Sequence, residues 1–481
     1  MAKDDNQTSG GAGSVGEGRK AISKILLLKL AITLIFAGFG FFQLGSWTEA
    51  QSGHNLKPKL NEIDRQIEGS AQQLVDKGRQ VFRYDTFGDE AFWTGALKID
   101  QAIAGEAAGG VGAGVSPKTA LAVGLKVDVD ALPPHLVQSI KRGDVNLDDP
   151  AVTLALLKLN AVVGLKGTFS ESGRLAQVGV SCALCHSTVD NSFAPGIGRR
   201  LDGWANRDLN VGTIVSLSPD LSVVNNLLGV DDATTRQLLA SWGPGKFDAL
   251  LFLDGKAFQP DGRSGATLIP PAYGLAGVNM HGWTGFGSVT YWNAFVANLE
   301  MHGSGRFLDR RLNDPERFPI AARNGFGDVR SSPDLVSAGL PALHFYQLAI
   351  PAPKPPEGSY DPKAAARGEK IFNTGNGTVS CAVCHVPPTF TEPGFNMHTG
   401  AEIGIDDFEA DRSPGWYESG TRATGYRTSP LKGLWAHQKG GFFHDGRFAT
   451  LMDVVNHYDT FFRLNLSAQQ KGDLVEYLKS L

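Results

Sequence analysis

The chain has 481 residues, enough for several domains with a real hydrophobic core. Its 45 Lys and Arg against 49 Asp and Glu leave a net charge of −4, without the basic excess of a nucleic-acid-binding chain, and no nucleic acid is expected as a partner. A hydrophobic content of 42% excludes a disordered chain, 59 Gly and 25 Pro imply many loops, and 4 Cys exclude a disulfide scaffold.

Residues 1–24 are polar and Gly-rich, with Arg19, Lys20 and Lys24 near their end. An apolar stretch follows from Ile25 to Gly45, within which Lys29 can snorkel to the edge. Its length suits a bilayer span. The preceding basic residues predict a cytoplasmic tail at 1–24 and an uncleaved transmembrane anchor at 25–47, with Trp47 at the far interface. A cleaved signal peptide is the rival reading, since Leu30–Phe42 suits a signal core, although Thr48-Glu49-Ala50 is a poor cleavage site. Both readings put the bulk of the chain in the periplasm, at a bacterial inner membrane.

Residues 48–165 are predicted to form a helical stalk and N-terminal extension. Leu60, Ile63, Ile67, Leu74, Val75 and Phe82 recur at helical spacing and predict a helix over 59–82. Gly105–Gly114 is a Gly/Ala loop, and Ala151–Val163 is apolar enough for a buried helix. A first body spans 166–350. Pro351, Pro353, Pro355 and Pro356 stiffen a linker at 351–361. A second body spans 362–481, opened by Pro362 and closed by a helix with Ser467 as N-cap and Gln470 completing a capping box. No strand pattern is sustained enough to predict a large sheet.

All four cysteines fall in two runs, Cys182-Ala183-Leu184-Cys185-His186 and Cys381-Ala382-Val383-Cys384-His385. Cys-x-x-Cys-His is the pattern of covalent haem c attachment. On a helical turn the two thiols share a face and reach the two vinyl groups of one porphyrin edge, while the following His turns beneath the ring. Two covalently bound haem c groups are therefore expected, with His186 and His385 as iron ligands. Pro387 and Pro388 force an extended exit that leaves a carbonyl free for the Nδ1 hydrogen of His385. The competing readings are one structural zinc held by both Cys pairs, or a redox dithiol. The expected fold is mainly α: two cytochrome c-like haem domains with long Gly-rich loops, at 166–350 and 362–481, preceded by one transmembrane helix.

The sequence resembles the diheme cytochrome c peroxidase superfamily, which includes the bacterial diheme peroxidases, the diheme enzyme that matures tryptophan tryptophylquinone, and the diheme rubber oxygenases. The resemblance covers residues 362–481. It is carried by Arg367-Gly368 before Phe372, Cys381 to His385, Tyr426-Arg427-Thr428-Ser429-Pro430-Leu431-Lys432-Gly433-Leu434-Trp435, Gly441 to Leu451, and the closing Glu476-Tyr477-Leu478-Lys479-Ser480-Leu481. Upstream it rests mainly on the first haem run. The stretch between His186 and His385 is longer than is typical of the peroxidases and nearer that of the rubber oxygenases.

For the sixth ligand of the second haem, the resemblance implies either His444, as in the rubber oxygenases, or Tyr426, as in the quinone-maturing enzyme. His437, Met452, His457 and an open position are further alternatives. A His ligand suits low-spin iron, whereas Tyr holds ferric iron and lowers the potential. The first run offers no distal ligand nearby. Further on, His281, His302, Met280 and Met301 lie in Gly-rich, aromatic stretches. A peroxidase needs an open iron and an acid–base group above it, and Glu300 and His302 are the catalytic candidates. Arg199, Arg200 or Arg207 are candidates to neutralise the propionates of the first haem. Trp204, Trp283 and Trp292 are candidates for the aromatic that the family places between its haems.

These features predict a membrane-anchored, periplasmic diheme c-type cytochrome that transfers electrons, with peroxide reduction at the N-terminal haem as the best-named reaction. The alternatives are a non-catalytic carrier with two six-coordinate haems, a diheme oxygenase, and an assembly subunit. The expected partners are a small cytochrome c or a quinol-oxidising complex, with hydrogen peroxide as the candidate oxidant.

Overall fold

The computed structural model describes residues 61–418 and 421–481. The expected mainly α fold with one transmembrane helix needs correction. Helices alternate with six two-stranded sheets, and among the described residues no helix is long and apolar enough to cross a membrane. The longest described helix, Glu62–Tyr84, carries charges along its length, including Asp64, Arg65, Asp76, Lys77 and Arg79. The span expected at 25–47 and the tail at 1–24 lie outside the described residues. The inner-membrane placement, with the bulk of the chain in the periplasm, is corrected on the same ground.

The small sheets escape sequence reading because each strand is short and some partners are remote. Val127–Asp128 pairs in parallel with Ile197–Gly198, two segments too brief to show alternation. The longest ladder joins Leu165–Phe169 to Leu175–Val180 in antiparallel register and ends at the first Cys run.

Residues 63–481 pack together as one unit. The largest apolar core draws on Val81 and Phe82 of the first described helix, on Leu156, Leu157 and Val162, and on Leu343 and Tyr346 of the helix Leu340–Ala349. The N-terminal extension thus shares its core with the first Cys run.

A separate core lies under the second run. It is built on two helices, Pro362–Thr374 and Ala468–Ser480. Asp361 caps the first through the amide of Lys363, and Ser467 and Gln470 form a reciprocal capping box on the second. The helices touch at Gly368, where a Cβ would lie 2.0 Å from the carbonyl oxygen of Asp473. Beside it, the Arg367 guanidinium holds the Asp473 carboxylate with two hydrogen bonds of 2.8 and 2.6 Å. The Arg-Gly pair of the sequence pattern is therefore a helix-crossing device. Phe372 sits under the crossing and meets Tyr477 edge-on at 5.2 Å, a contact worth about 1 kcal/mol beyond area burial.

Candidate functional site

Two cavities, of about 630 and 430 Å³, open on the two Cys-x-x-Cys-His runs. Both volumes fall in the range of cofactor-sized pockets. Cys182, Cys185 and His186 line the first, and Cys381, Cys384 and His385 line the second.

The first run forms a single helical turn, Ala183–His186. Gly164, at φ +79°, lies directly against it: a Cβ would sit 2.2 Å from the Leu184 Cα. His186 Nδ1 lies 3.1 Å from the Pro270 carbonyl oxygen, so Nδ1 donates there and Nε2 is left for a metal. Burial pulls the imidazole down to about 4, which keeps it neutral, the ligating form. The second run repeats the device on a 3-10 turn, Cys381–Val383. His385 Nδ1 lies 3.1 Å from the Phe390 carbonyl oxygen, just beyond Pro387-Pro388, and burial again lowers its pKa.

Burial pushes the Cys182 and Cys185 thiols up to about 12 and Cys381 up to about 11. These are settings for neutral sulfur, as in a thioether. The two Cys pairs line different cavities, and among the described residues the four thiols form no common metal-ligating group. One zinc shared by both pairs does not fit. The grouping that does occur joins Cys384 to Glu392 and His398, whose carboxylate and Nε2 lie 2.6 Å apart.

Among the described residues, only Pro270, Pro271, Trp283 and Arg427 line both cavities. The stretch 268–270 acts as a strut between them. The Leu268 amide donates to the His444 carbonyl at 2.6 Å, the Leu268 carbonyl accepts from Trp283 Nε1 at 2.8 Å, and Pro270 accepts from His186. Of the three tryptophans singled out by sequence, Trp283 alone is shared. Trp292 lines the first cavity only, and Trp204 lines neither, packing edge-on against Trp435 at 5.5 Å.

Part of the first cavity's wall departs from regular helix. Two π-helical segments, Ala91–Ala96 and Val296–Glu300, border it through Phe92, Trp93, Val296 and Glu300. Such segments are frequent at functional sites. His302 adopts φ +61° and stacks on Phe92 with ring centroids 3.7 Å apart. Glu300 is buried, and neither carboxyl oxygen has a hydrogen-bond partner. Burial, with the nearby Asp248 charge, raises its pKa well above the usual range. His281 and Met301 also reach this cavity, whereas Met280 does not.

In the second cavity His444 and Tyr426 stack with centroids 5.0 Å apart. The Tyr426 hydroxyl donates to the Asp406 carbonyl oxygen at 2.9 Å and is already occupied. Burial pulls the His444 imidazole down to about 4 and keeps it neutral. His437 lines the cavity as well, with a buried Nε2 that lacks a partner. Met452 and His457 do not line it, and His457 Nε2 is bound to the Ile403 carbonyl oxygen at 2.8 Å.

The arginines sort differently from expectation. Arg199 is exposed, and Arg200 pairs with Asp128 at 3.0 Å, so neither reaches a cavity. Arg207 lines the second cavity, not the first, and its Nη1 lies against Gly440 of the second body. Its Nε and Nη1 are buried without partners, as is Nη1 of Arg427. Burial pulls both guanidiniums down to about 10, and no carboxylate offsets either. Buried uncompensated cations beside a cavity suit a ligand that brings carboxylates, as a haem does with its two propionates. Sequence reading missed Pro270, Phe92, Arg427 and Glu409 on the cavity walls. Only Pro270-Pro271 carried a signal, since it repeats the Pro387-Pro388 pair.

No protein-family model matches the chain. Hydrazine synthase subunit gamma of Kuenenia stuttgartiensis is 32% identical over 150 residues, covering 25% of this chain and 41% of that protein. The chain thus spans about two fifths of the length of this curated relative. A solved structure, "Kuenenia stuttgartiensis Hydrazine Synthase Pressurized with 20 bar Xenon", matches at 24% identity and a TM-score of 0.27, over 47% of this chain and 76% of that one.

Proposed function

We propose that the protein is a diheme c-type cytochrome of the diheme peroxidase type, which takes electrons at the second cavity and uses them to reduce a small oxidant, such as hydrogen peroxide, in the first. The observation that carries this reading is the pair of cavities, each opening on a Cys-x-x-Cys-His run whose His has Nδ1 tied to a backbone carbonyl. The uncompensated Arg207 and Arg427, the neutral thiols and the neutral imidazoles fit haem at both places.

Haem, when bound, supplies one-electron redox chemistry at each iron. His385 and His444 would hold the second iron, a nitrogen pair suited to electron transfer. Arg207 and His437 would take a propionate there, and Trp283 lines both cavities. In the first cavity His186 would hold the iron, with Glu300 and His302 among the other groups of the wall. Reducing one peroxide to two waters consumes two electrons and two protons, and a neutral buried Glu300 can deliver a proton to the departing oxygen.

His281, Met301 and His302 all reach the first cavity, and this favours a second reading: if one of them closes the iron, the protein is an electron carrier. The deciding experiment is haem staining of the denatured chain together with magnetic spectra of the ferric protein. Two haems that survive denaturation, one high-spin and able to bind cyanide, support the proposal. Two low-spin haems that bind neither cyanide nor carbon monoxide in any redox state select the carrier. Haem lost to acid–acetone extraction overturns both.

A further inference from the structure

Beside the first cavity, at Glu409, lies a buried charge cluster that no part of the haem reading requires. Arg412, on the short helix Phe408–Arg412, is 1% exposed at its side chain and meets three buried carboxyls. Asp248 faces it with contacts of 2.8 and 3.4 Å, and Asp254 with contacts of 2.9 and 3.2 Å. Glu409, one turn back on the same helix, reaches Nη1 only at 3.5 Å. One cation cannot neutralise three carboxylates removed from water, so the fold must keep one of them protonated. Both aspartates hold Arg412 through two oxygens, and Glu409 holds it through one long contact. The proton therefore belongs on Glu409.

We propose that Glu409 is a proton-holding residue of the first cavity, buffered through Arg412 against Asp248 and Asp254, and that it supplies a second proton beside Glu300. Glu409 and Glu300 both line that cavity. Asp248 bears on each of them electrostatically and so couples the two. Tyr426, on the wall of the second cavity, also feels the Glu409 charge. Protons and electrons would thus approach the first cavity from the same side. The groups that face Glu409 are Arg412 on its own helix, Asp248 and Asp254 from the segment before it in sequence, and Asp445 and Tyr426 from the C-terminal body. Burial pushes the Glu409 carboxyl up to about 8 against the pull of Arg412, so it carries a proton at neutral pH and can release it when charge in the cavity changes.

The inference rests on the reading of the first cavity as the place of small-molecule reduction, and its test is separable from activity. The experiment is redox-difference infrared spectroscopy of the full, haem-loaded protein in H2O and D2O, for wild type, Glu409→Gln and Glu300→Gln. We expect a protonated-carboxyl band that shifts in D2O, changes on reduction, and loses one component in Glu409→Gln and a different one in Glu300→Gln. Glu409→Gln keeps the side-chain shape, and a thermal melt near wild type shows that Arg412 remains seated. A band unchanged by Glu409→Gln overturns the inference, as does a Glu409 component indifferent to reduction. If the Glu409 component responds to reduction while the protein fails to turn over peroxide, the proton store stands and the peroxidase reading falls. Turnover without that component has the opposite meaning.

Discussion

The two cavities share a construction on one side and differ on the other. In each, a Cys-x-x-Cys-His turn presents a histidine whose Nδ1 is fixed by a backbone carbonyl, Pro270 in one and Phe390 in the other. Elsewhere on its wall, the second cavity offers a neutral His444 stacked on Tyr426, within a body braced by a tight helix crossing. The first offers π-helical segments, a left-handed His302 and a carboxyl with no partner. The second body has left-handed backbone of its own at Phe390 and Phe443, so the π-helical segments and the unpaired acid are what set the first cavity apart. Backbone irregularity and an unpaired acid concentrate where chemistry needs groups held out of their resting preferences.

The strongest way to break the comparison is to remove one attachment site. Replacing Cys381 and Cys384 together with Ala should lower the haem that survives denaturation from two per chain to one, read by haem stain and by pyridine absorbance. A chain that still carries two covalent haems would show that the second run is not an attachment site.

Next in size is Glu300→Gln. The neutral amide cannot deliver a proton, so peroxide turnover should fall by about 10²- to 10⁴-fold while haem content and the second-haem spectrum stay as in wild type. Unchanged turnover would remove Glu300 from the chemistry and leave His302 or Glu409.

His444→Ala tests the other half. It should convert the second haem to high spin and leave the first unaltered in magnetic spectra. If the low-spin signal persists, His444 is not the ligand, and His437, whose Nε2 is free, or Tyr426, released from the Asp406 carbonyl, takes its place.

The smallest effect concerns stability against pH, where two buried carboxyls act with opposite sign. Burial would push Asp445 up, but Arg447 and its neighbours win and hold it down to about 2. Its stabilising contribution is present above the ordinary carboxylate range and is lost as pH falls through about 2. Glu409 is pushed up to about 8, so its contribution is complete below the ordinary range and is lost as pH rises through about 8. Melting temperature should therefore decline at both ends. Glu409→Gln should flatten the decline between the ordinary carboxylate range and about pH 8, and Asp445→Asn only the decline between that range and about pH 2.

Several features could be read from the sequence alone because they are local. A Cys-x-x-Cys-His run places its thiols and imidazole within one turn, whatever surrounds it. The cap at Ser467 and the Pro387-Pro388 exit follow from short-range stereochemistry, and the structure adds the Asp361 cap and that Phe390 supplies the carbonyl. Tertiary structure decided what local pattern cannot carry. The mainly α expectation was corrected because two- to six-residue strands pair with partners that periodicity does not reveal, such as Val127 with Ile197. Arg207 follows the first run in sequence yet lines the second cavity. Trp283 was one of three equal candidates until the strut at 268–270 set it between the cavities. Glu409 and Arg412 carry no local pattern that marks them as buried. Only the approach of Asp248 and Asp254, more than 150 residues earlier in the chain, buries them together and forces a proton to stay.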